Sequence, residues 1–314
     1  GARNFVNKLW NASRFAWMSF DGATIADLEA AGIPPVESLS LPDRWILSRL
    51  GQVIAAVDEG FERYDFADGV RELQGFTWSE LCDWYIELSK QALLGEDVAR
   101  RADIRRVPGV VLGSVLRLLH PVVPFVTEEL WSRLGGGSLL ALERWPTAEP
   151  FARDAEADMA ISSVIEIVSA VRRFRSEHSI APSLRFSMLV VPADDQQASA
   201  LRALEREVVS LARLEGFELV DAHPAREGEQ RLVAAGAEIV IPFEGLVDVA
   251  AVREQLDKRL AKLRSELDKT LSKLSDEGFL AKAPPPVVDA MRAREAEALD
   301  AIDALAAQRA QLGS

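Results

Sequence analysis

The sequence predicts a mainly α protein in three parts. These are a helical bundle over residues 1–150, a small α+β junction unit over 151–245 and an antiparallel two-helix coiled coil over 246–314. Three observations carry that reading. Up to about residue 150 the apolar residues recur at helical spacing. All seven tryptophans and both tyrosines lie at or before Trp145, a step in composition reinforced by Pro146 and Pro150. Finally, Leu256, Leu260, Leu263, Leu267, Leu271 and Leu274 follow at intervals of 4, 3, 4, 4 and 3, which places them on one seam.

In the first part the periodicity predicts helices over 3–20, 42–61, 65–94, 106–120 and 124–134. Breaks fall at Gly32-Ile33-Pro34-Pro35 and at Gly135-Gly136-Gly137, the latter read as a flexible connection. Large aromatics at helical spacing are most often packing residues, and Trp17, Trp45, Trp78, Trp84 and Trp131 are read so. In the second part a helix over 155–177 ends before Pro182, and 185–191 alternates as a strand does. A helix over 198–214 and a short strand over 218–220 follow. Residues 231–234 and 238–242 then flank Ala235-Gly236-Ala237 as a hairpin. In the last part the leucine seam ends at a turn, Asp276-Glu277-Gly278, and Pro284-Pro285-Pro286 leads into a second helix. Val288, Met291, Leu299, Ile302, Leu305 and Leu312 supply its apolar side, so the two helices should fold back on each other.

Composition excludes several classes of function. With 48% hydrophobic and 27% charged residues the chain is ordinary globular protein. One cysteine, Cys82, leaves no disulfide framework and no multi-cysteine zinc ribbon, and fits a cytoplasmic protein; the thiol is read as a small buried group. The N-terminus lacks a charged segment followed by an apolar core. The most apolar window, 107–126, contains Arg117, His120 and three prolines, so it reads as a buried helix pair and not a membrane span. His120, His178 and His223 are too far apart for metal-ligand spacing, and His120 reads as a packed core residue. No glycine-rich phosphate loop occurs. The sequence begins at Gly1 inside a helical pattern without an initiator methionine, so a piece of a longer protein is expected. No catalytic site, metal or cofactor is expected in the chain itself.

Three surfaces suit RNA. At 100° per residue from Arg3, the side chains of Asn7, Asn11 and Arg14 fall within about 80°, while Phe5, Leu9, Ala12 and Ala16 gather opposite. Amides and guanidinium forks hydrogen-bond base edges and phosphates without doing chemistry. Lys8 and Trp10 border that face, which otherwise reads as solvated. Near the end of the 155–177 helix stand Arg172, Arg173 and Arg175, which suit the helix dipole and form a weaker RNA candidate. Along the first coiled-coil helix Lys258, Lys262, Lys269 and Lys273 stay within about 60° of one another, away from the leucine seam. The segment 253–275 carries +3 inside a chain of −13. Such a stripe either solubilises the helix or meets phosphates.

The run Arg3-Asn4-Phe5 through Asn7-Lys8-Leu9-Trp10-Asn11 to Arg14-Phe15 resembles the helix that follows the catalytic core in valyl-tRNA synthetases. Leu41-Pro42-Asp43-Arg44-Trp45 and Cys82-Asp83-Trp84-Tyr85-Ile86-Glu87 are similar to later helices of their anticodon-binding domain. The run from Leu119-His120-Pro121 to Glu129-Leu130-Trp131 is shared by the valine, leucine and isoleucine enzymes. Ser275-Asp276-Glu277-Gly278-Phe279-Leu280 resembles the tip of the C-terminal arm of the valyl enzymes and selects valine among the three. The resemblance implies an anticodon-binding bundle and an arm bracing the outer corner of a valine-specific tRNA, in a monomer. ATP and magnesium would serve the parent enzyme, whose His-Ile-Gly-His-like and Lys-Met-Ser-Lys-Ser-like signatures do not occur in this chain. The rival readings are the same region of a leucyl or isoleucyl enzyme, and a helical scaffold whose coiled coil binds protein.

Overall fold

The computed structural model describes residues 2–93, 104–226, 228–242, 249–275 and 285–311. The chain divides into two compact units. The first comprises 1–172, 185–224 and 231–240, and the second 173–184, 225–230 and 241–314. The architecture is mainly helical, with one four-stranded sheet and a C-terminal helical pair, as the sequence predicts.

The first unit opens with α1 (Ala2–Ser19), α2 (Ile25–Ala31) and α3 (Leu41–Glu62). Helix α2 is a short element the periodicity missed. Its local signal is a capping box, in which the Thr24 hydroxyl accepts from the Asp27 amide while Asp27 accepts from the Thr24 amide. Helix α3 begins the same way, at Ser40 and Asp43.

The helix predicted over 65–94 is three consecutive pieces: α4 (Phe66–Gly75), a π-helical stretch (Phe76–Tyr85) and α5 (Ile86–Leu93). Residue 94 lies outside the described residues. Buried Leu73, Thr77, Leu81 and Tyr85 are spaced by four. In a regular α-helix each such step drifts about 40°, and the wider π turns keep the four on one side. That places the Tyr85 hydroxyl 2.8 Å from Oδ1 of Asp43, inside the bundle. Helices α6 (Arg106–Leu119) and α7 (Pro124–Arg133) complete this core, where Trp45 and Trp131 are buried.

Helix α8 (Ala155–Glu177) is held to α3 by polar contacts near its start. Arg44 forks onto Asp154 at 2.7 and 3.1 Å, and Ser48 and Gln52 reach Asp158 at 3.1 and 2.9 Å. The predicted helix over 198–214 is two, α9 (Asp195–Ala203) and α10 (Glu205–Ala212), broken at Leu204. Strands β1 (Ser187–Val191), β2 (Gly216–Leu219), β3 (Glu229–Ala234) and β4 (Ala237–Pro242) form a sheet in the order β2-β1-β4-β3. Strand β1 runs parallel to β2 and antiparallel to β4, with Leu189 opposite Glu218 and Val240.

The β3–β4 hairpin turns on Ala235 and Gly236, whose φ angles are +49° and +76°. Two positive φ values in a two-residue loop are those of a type I′ turn, which favours Asn-Gly because a Cβ strains the first position and the short Asn amide offsets that strain by bonding locally. Ala235→Asn should therefore raise stability by about 1 kcal/mol. Thermal unfolding of the variant checks this, and a lower melting temperature would speak against the strained turn.

In the second unit α11 (Val249–Leu274) and α12 (Pro285–Gln311) lie against each other. Within the seam Leu260 and Leu267 are buried, Leu263 and Leu274 half-buried, and Leu271 exposed. The Leu256 side chain, the turn at 276–278 and Leu312 lie outside the described residues. On α12, Val288, Met291, Ile302 and Leu305 are half-buried while Leu299 is exposed. Arg309 forks onto Asp257 at 2.5 and 3.2 Å, tying one helix to the other.

Candidate nucleic-acid interface

Helix α1 buries Phe5, Leu9, Ala12 and Ala16 and leaves Arg3, Asn7, Asn11 and Arg14 exposed. The latter four therefore stand as one open polar row, their donors and acceptors turned to solvent. Lys8 differs, because its Nζ lies 2.5 Å from Asp83 and 3.8 Å from the centre of the Trp78 ring. That cation fastens α1 to the π-helical stretch and has little charge left for a phosphate. Trp10 is half-buried, with the Arg133 guanidinium 5.3 Å from its ring centre. Trp17, read from spacing as a packing residue, is 56% exposed.

The three arginines of α8 have three different roles. Arg172 donates to the Leu211 carbonyl at 2.9 Å and lies 5.1 Å over Trp84. Arg175 is 6% exposed and donates to the Ala181 and Leu184 carbonyls, bracing the 181–184 loop. Arg173 is exposed. A common phosphate patch of three is not what this geometry offers: Arg175 is buried and Arg172, although exposed, is partly engaged by Leu211 and Trp84, whereas Arg173 is exposed.

Lys258, Lys262, Lys269 and Lys273 are all exposed on α11, on the side away from buried Leu260 and Leu267. Their ammonium groups form a row along one helix edge, in the positive half of the arm. Such a row matches a phosphate backbone by charge and repeat, with no base-edge information.

Elsewhere the chemistry is quiet. His120 Nδ1 meets Thr127 Oγ1 at 2.9 Å. Burial pushes the Cys82 thiol up to about 12 despite Lys8 nearby, so it remains protonated and unreactive. The glycines 135–137 are not a loose connection. The Gly136 amide donates to the Trp131 carbonyl, and a Cβ there would stand 2.0 Å from the Trp131 ring nitrogen. Among the described residues no group of acidic, histidine or cysteine side chains could hold a metal ion, and no helix is long and apolar enough to cross a membrane.

Comparison with known proteins fits this division of surfaces. Residues 43–190 match the anticodon-binding domain of tRNA ligases, and 248–313 match the valyl tRNA synthetase tRNA binding arm. The chain is 44% identical over 315 residues to a valine–tRNA ligase of Streptomyces coelicolor, covering 99% of this chain and 34% of the relative. It is 36% identical to the valine–tRNA ligase of Bacillus subtilis over 98% of this chain and 35% of the relative. The chain thus spans about a third of the length of the curated relatives it matches. Both ends of the chain carry the sequence of one group of enzymes, and the arm is particular to it: the chain belongs to the valyl-tRNA synthetase family.

Proposed function

We propose that this chain is the tRNA-binding portion of a valine–tRNA ligase. The bundle reads the anticodon stem-loop, and the arm braces the outer corner of the same tRNA. The observation that carries the reading is the pair of open surfaces, Arg3/Asn7/Asn11/Arg14 on α1 and the lysine row on α11, each within a part that matches a tRNA-binding model or adjoins one. Anticodon bases are single-stranded, so they can unstack and meet amide and guanidinium groups, whereas the lysines supply attraction without sequence preference. Of the junction arginines only Arg173 is kept as a contact. Lys8 and Arg175 are assigned to holding the fold.

The parent enzyme would join valine to its tRNA using ATP and magnesium, and we assign no residue of this chain to holding either. Its residues bind and orient RNA, so that remote binding energy is used to place the acceptor end for transfer. We place the protein in the cytoplasm as a monomer.

The test is binding without chemistry. The chain should shift tRNA in a gel yet give no valine-dependent ATP–pyrophosphate exchange. Asn11→Ala or Arg14→Ala should each weaken anticodon stem-loop binding by about 1–3 kcal/mol with helicity unchanged. Normal binding by both variants would leave α1 as a solvated face. Protein capture without any RNA shift would favour a scaffold.

A further inference from the structure

Helix α3 ends in a group of surface aromatics. Tyr64 is 83% exposed, Phe66 50% and Trp145 37%, and half-buried Phe61 joins them. The Tyr64 ring stands perpendicular to Phe66 at 6.1 Å between centres, while Phe61 lies 5.2 Å from Phe66 and 5.7 Å from Trp145. The Trp145 indole nitrogen donates to Asp58 at 2.7 Å. Rings that touch one another and solvent form a patch of the kind that marks interaction sites.

The fold itself does not need a tyrosine at position 64. It follows the cap residue of α3 with φ at +60°, and the Asp65 amide beyond it donates to the Gly60 carbonyl at 2.8 Å. That is a left-handed helix terminus, where glycine is the usual residue because a Cβ strains it. A bulky ring held in this conformation, with most of its surface in water, costs stability and gains little packing.

The surroundings give the patch a sign. Residues 58–72 hold six acidic and two basic side chains. Both arginines are already taken, Arg63 by Glu59 at 2.5 Å and Arg71 by Asp68. Glu62 and Asp65, on either side of Tyr64 in sequence, are exposed and in no ion pair among the described residues. With Glu59, Asp68 and Glu72, Asp65 also lines a cleft of about 380 Å³ between α3 and α4.

Aromatic faces beside unpaired carboxylates suit a guanidinium, which stacks on a ring while its fork meets a carboxylate. The same charge repels phosphates, so RNA does not suit this surface, and a purely apolar segment would leave the carboxylates unanswered. We infer that the Tyr64 patch docks an arginine-bearing segment of another protein, with a guanidinium over the Tyr64 ring and ion-paired to Glu62 or Asp65. The inference is independent of the RNA-binding reading above.

The test titrates the whole chain with acetylated Gly-Arg-Gly-Arg-Gly amide while the tryptophan indole N–H signals are followed by NMR. The Trp145 signal, identified by its loss in Trp145→Phe, should move while the others stay. The same peptide with citrulline for arginine, alike in shape but uncharged, should move nothing. Tyr64→Gly should bind the arginine peptide about three- to tenfold more weakly, as loss of a cation–π contact does. It should nevertheless melt at the same or a higher temperature, because the strained terminus is relieved. Glu62→Gln together with Asp65→Asn should weaken binding by a similar factor, and keeps the test decisive should Tyr64→Gly alter the turn. A Trp145 signal that stays still overturns the proposal, and so does citrulline acting as well as arginine. Equal binding by wild type and both variants would reduce the effect to diffuse attraction by an acidic chain and overturn it too. A Trp145 signal that moves with tRNA alone, or on concentrating the protein alone, would give the patch to RNA or to a second copy instead.

Discussion

Asp43→Ala is expected to destabilise the helical bundle by about 3–5 kcal/mol, the loss of a helix cap together with two stranded donors. Asp43 is fully buried, and its carboxylate accepts from the Ser40 amide at 3.2 Å, the Ser40 hydroxyl at 2.6 Å and the Tyr85 hydroxyl at 2.8 Å. It thus closes the first turn of α3 and anchors the end of the π-helical stretch. Truncation leaves the fully buried Tyr85 hydroxyl without its carboxylate, with only the Ser89 hydroxyl beside it. Tyr85→Phe should cost less, about 1.5–3 kcal/mol, since it removes one donor to a charged acceptor. If the bond couples the two elements, the double variant costs less than the sum of the singles. Urea unfolding followed by tryptophan emission reads this directly, because every tryptophan lies at or before Trp145. A Tyr85→Phe variant as stable as wild type would show that the contact adds nothing.

Charge reversal at Lys262 and Lys269 should have the largest effect on RNA binding. Both side chains are exposed, so circular dichroism and melting should stay nearly unchanged. Affinity for whole tRNA should fall, and the slope of log K against log salt should shrink by roughly two units if each lysine meets a phosphate. A free anticodon stem-loop lacks the tRNA corner and should not distinguish the variant. Leu267→Asp should act in the opposite order, unfolding the arm first by placing a carboxylate at a buried seam position. Whole tRNA that ignores the lysine reversals would reduce the stripe to a solubility feature.

Much of this was legible in the sequence, for reasons that are local. Periodicity found the long helices and the leucine seam, because a helix face repeats every three to four residues whatever it packs against. It also predicted that Arg3, Asn7, Asn11 and Arg14 would share an open side of α1. What it missed depends on distant partners or on changes of period. Lys8 looks like its polar neighbours until Asp83 and Trp78 meet it. Arg175 looks like a dipole-completing surface cation until a returning loop offers two carbonyls. The spacing by four from Leu73 to Tyr85 is visible in the sequence, but over so short a run it also suits an ordinary helix. Helix α2 carries its start signal in Thr24 and Asp27, but seven residues are too few for a periodic pattern. The exposure of Trp17 escapes the rule that large aromatics at helical spacing pack inward, whereas Trp10 is placed beside the polar face from the start.

The two helices of the arm are oppositely signed. From 257 to 275 the first carries six basic and three acidic residues, and from 285 to 311 the second carries three basic and five acidic. Across its width the hairpin is therefore a transverse electric dipole. Near a polyanion such a rod experiences a torque as well as a pull, and it rolls until its lysine edge leads. Partner and rod can then be aligned before they touch, and the acidic edge rejects a wrong-sided approach. A protein that is strongly anionic as a whole can in this way draw nucleic acid toward one line on its surface.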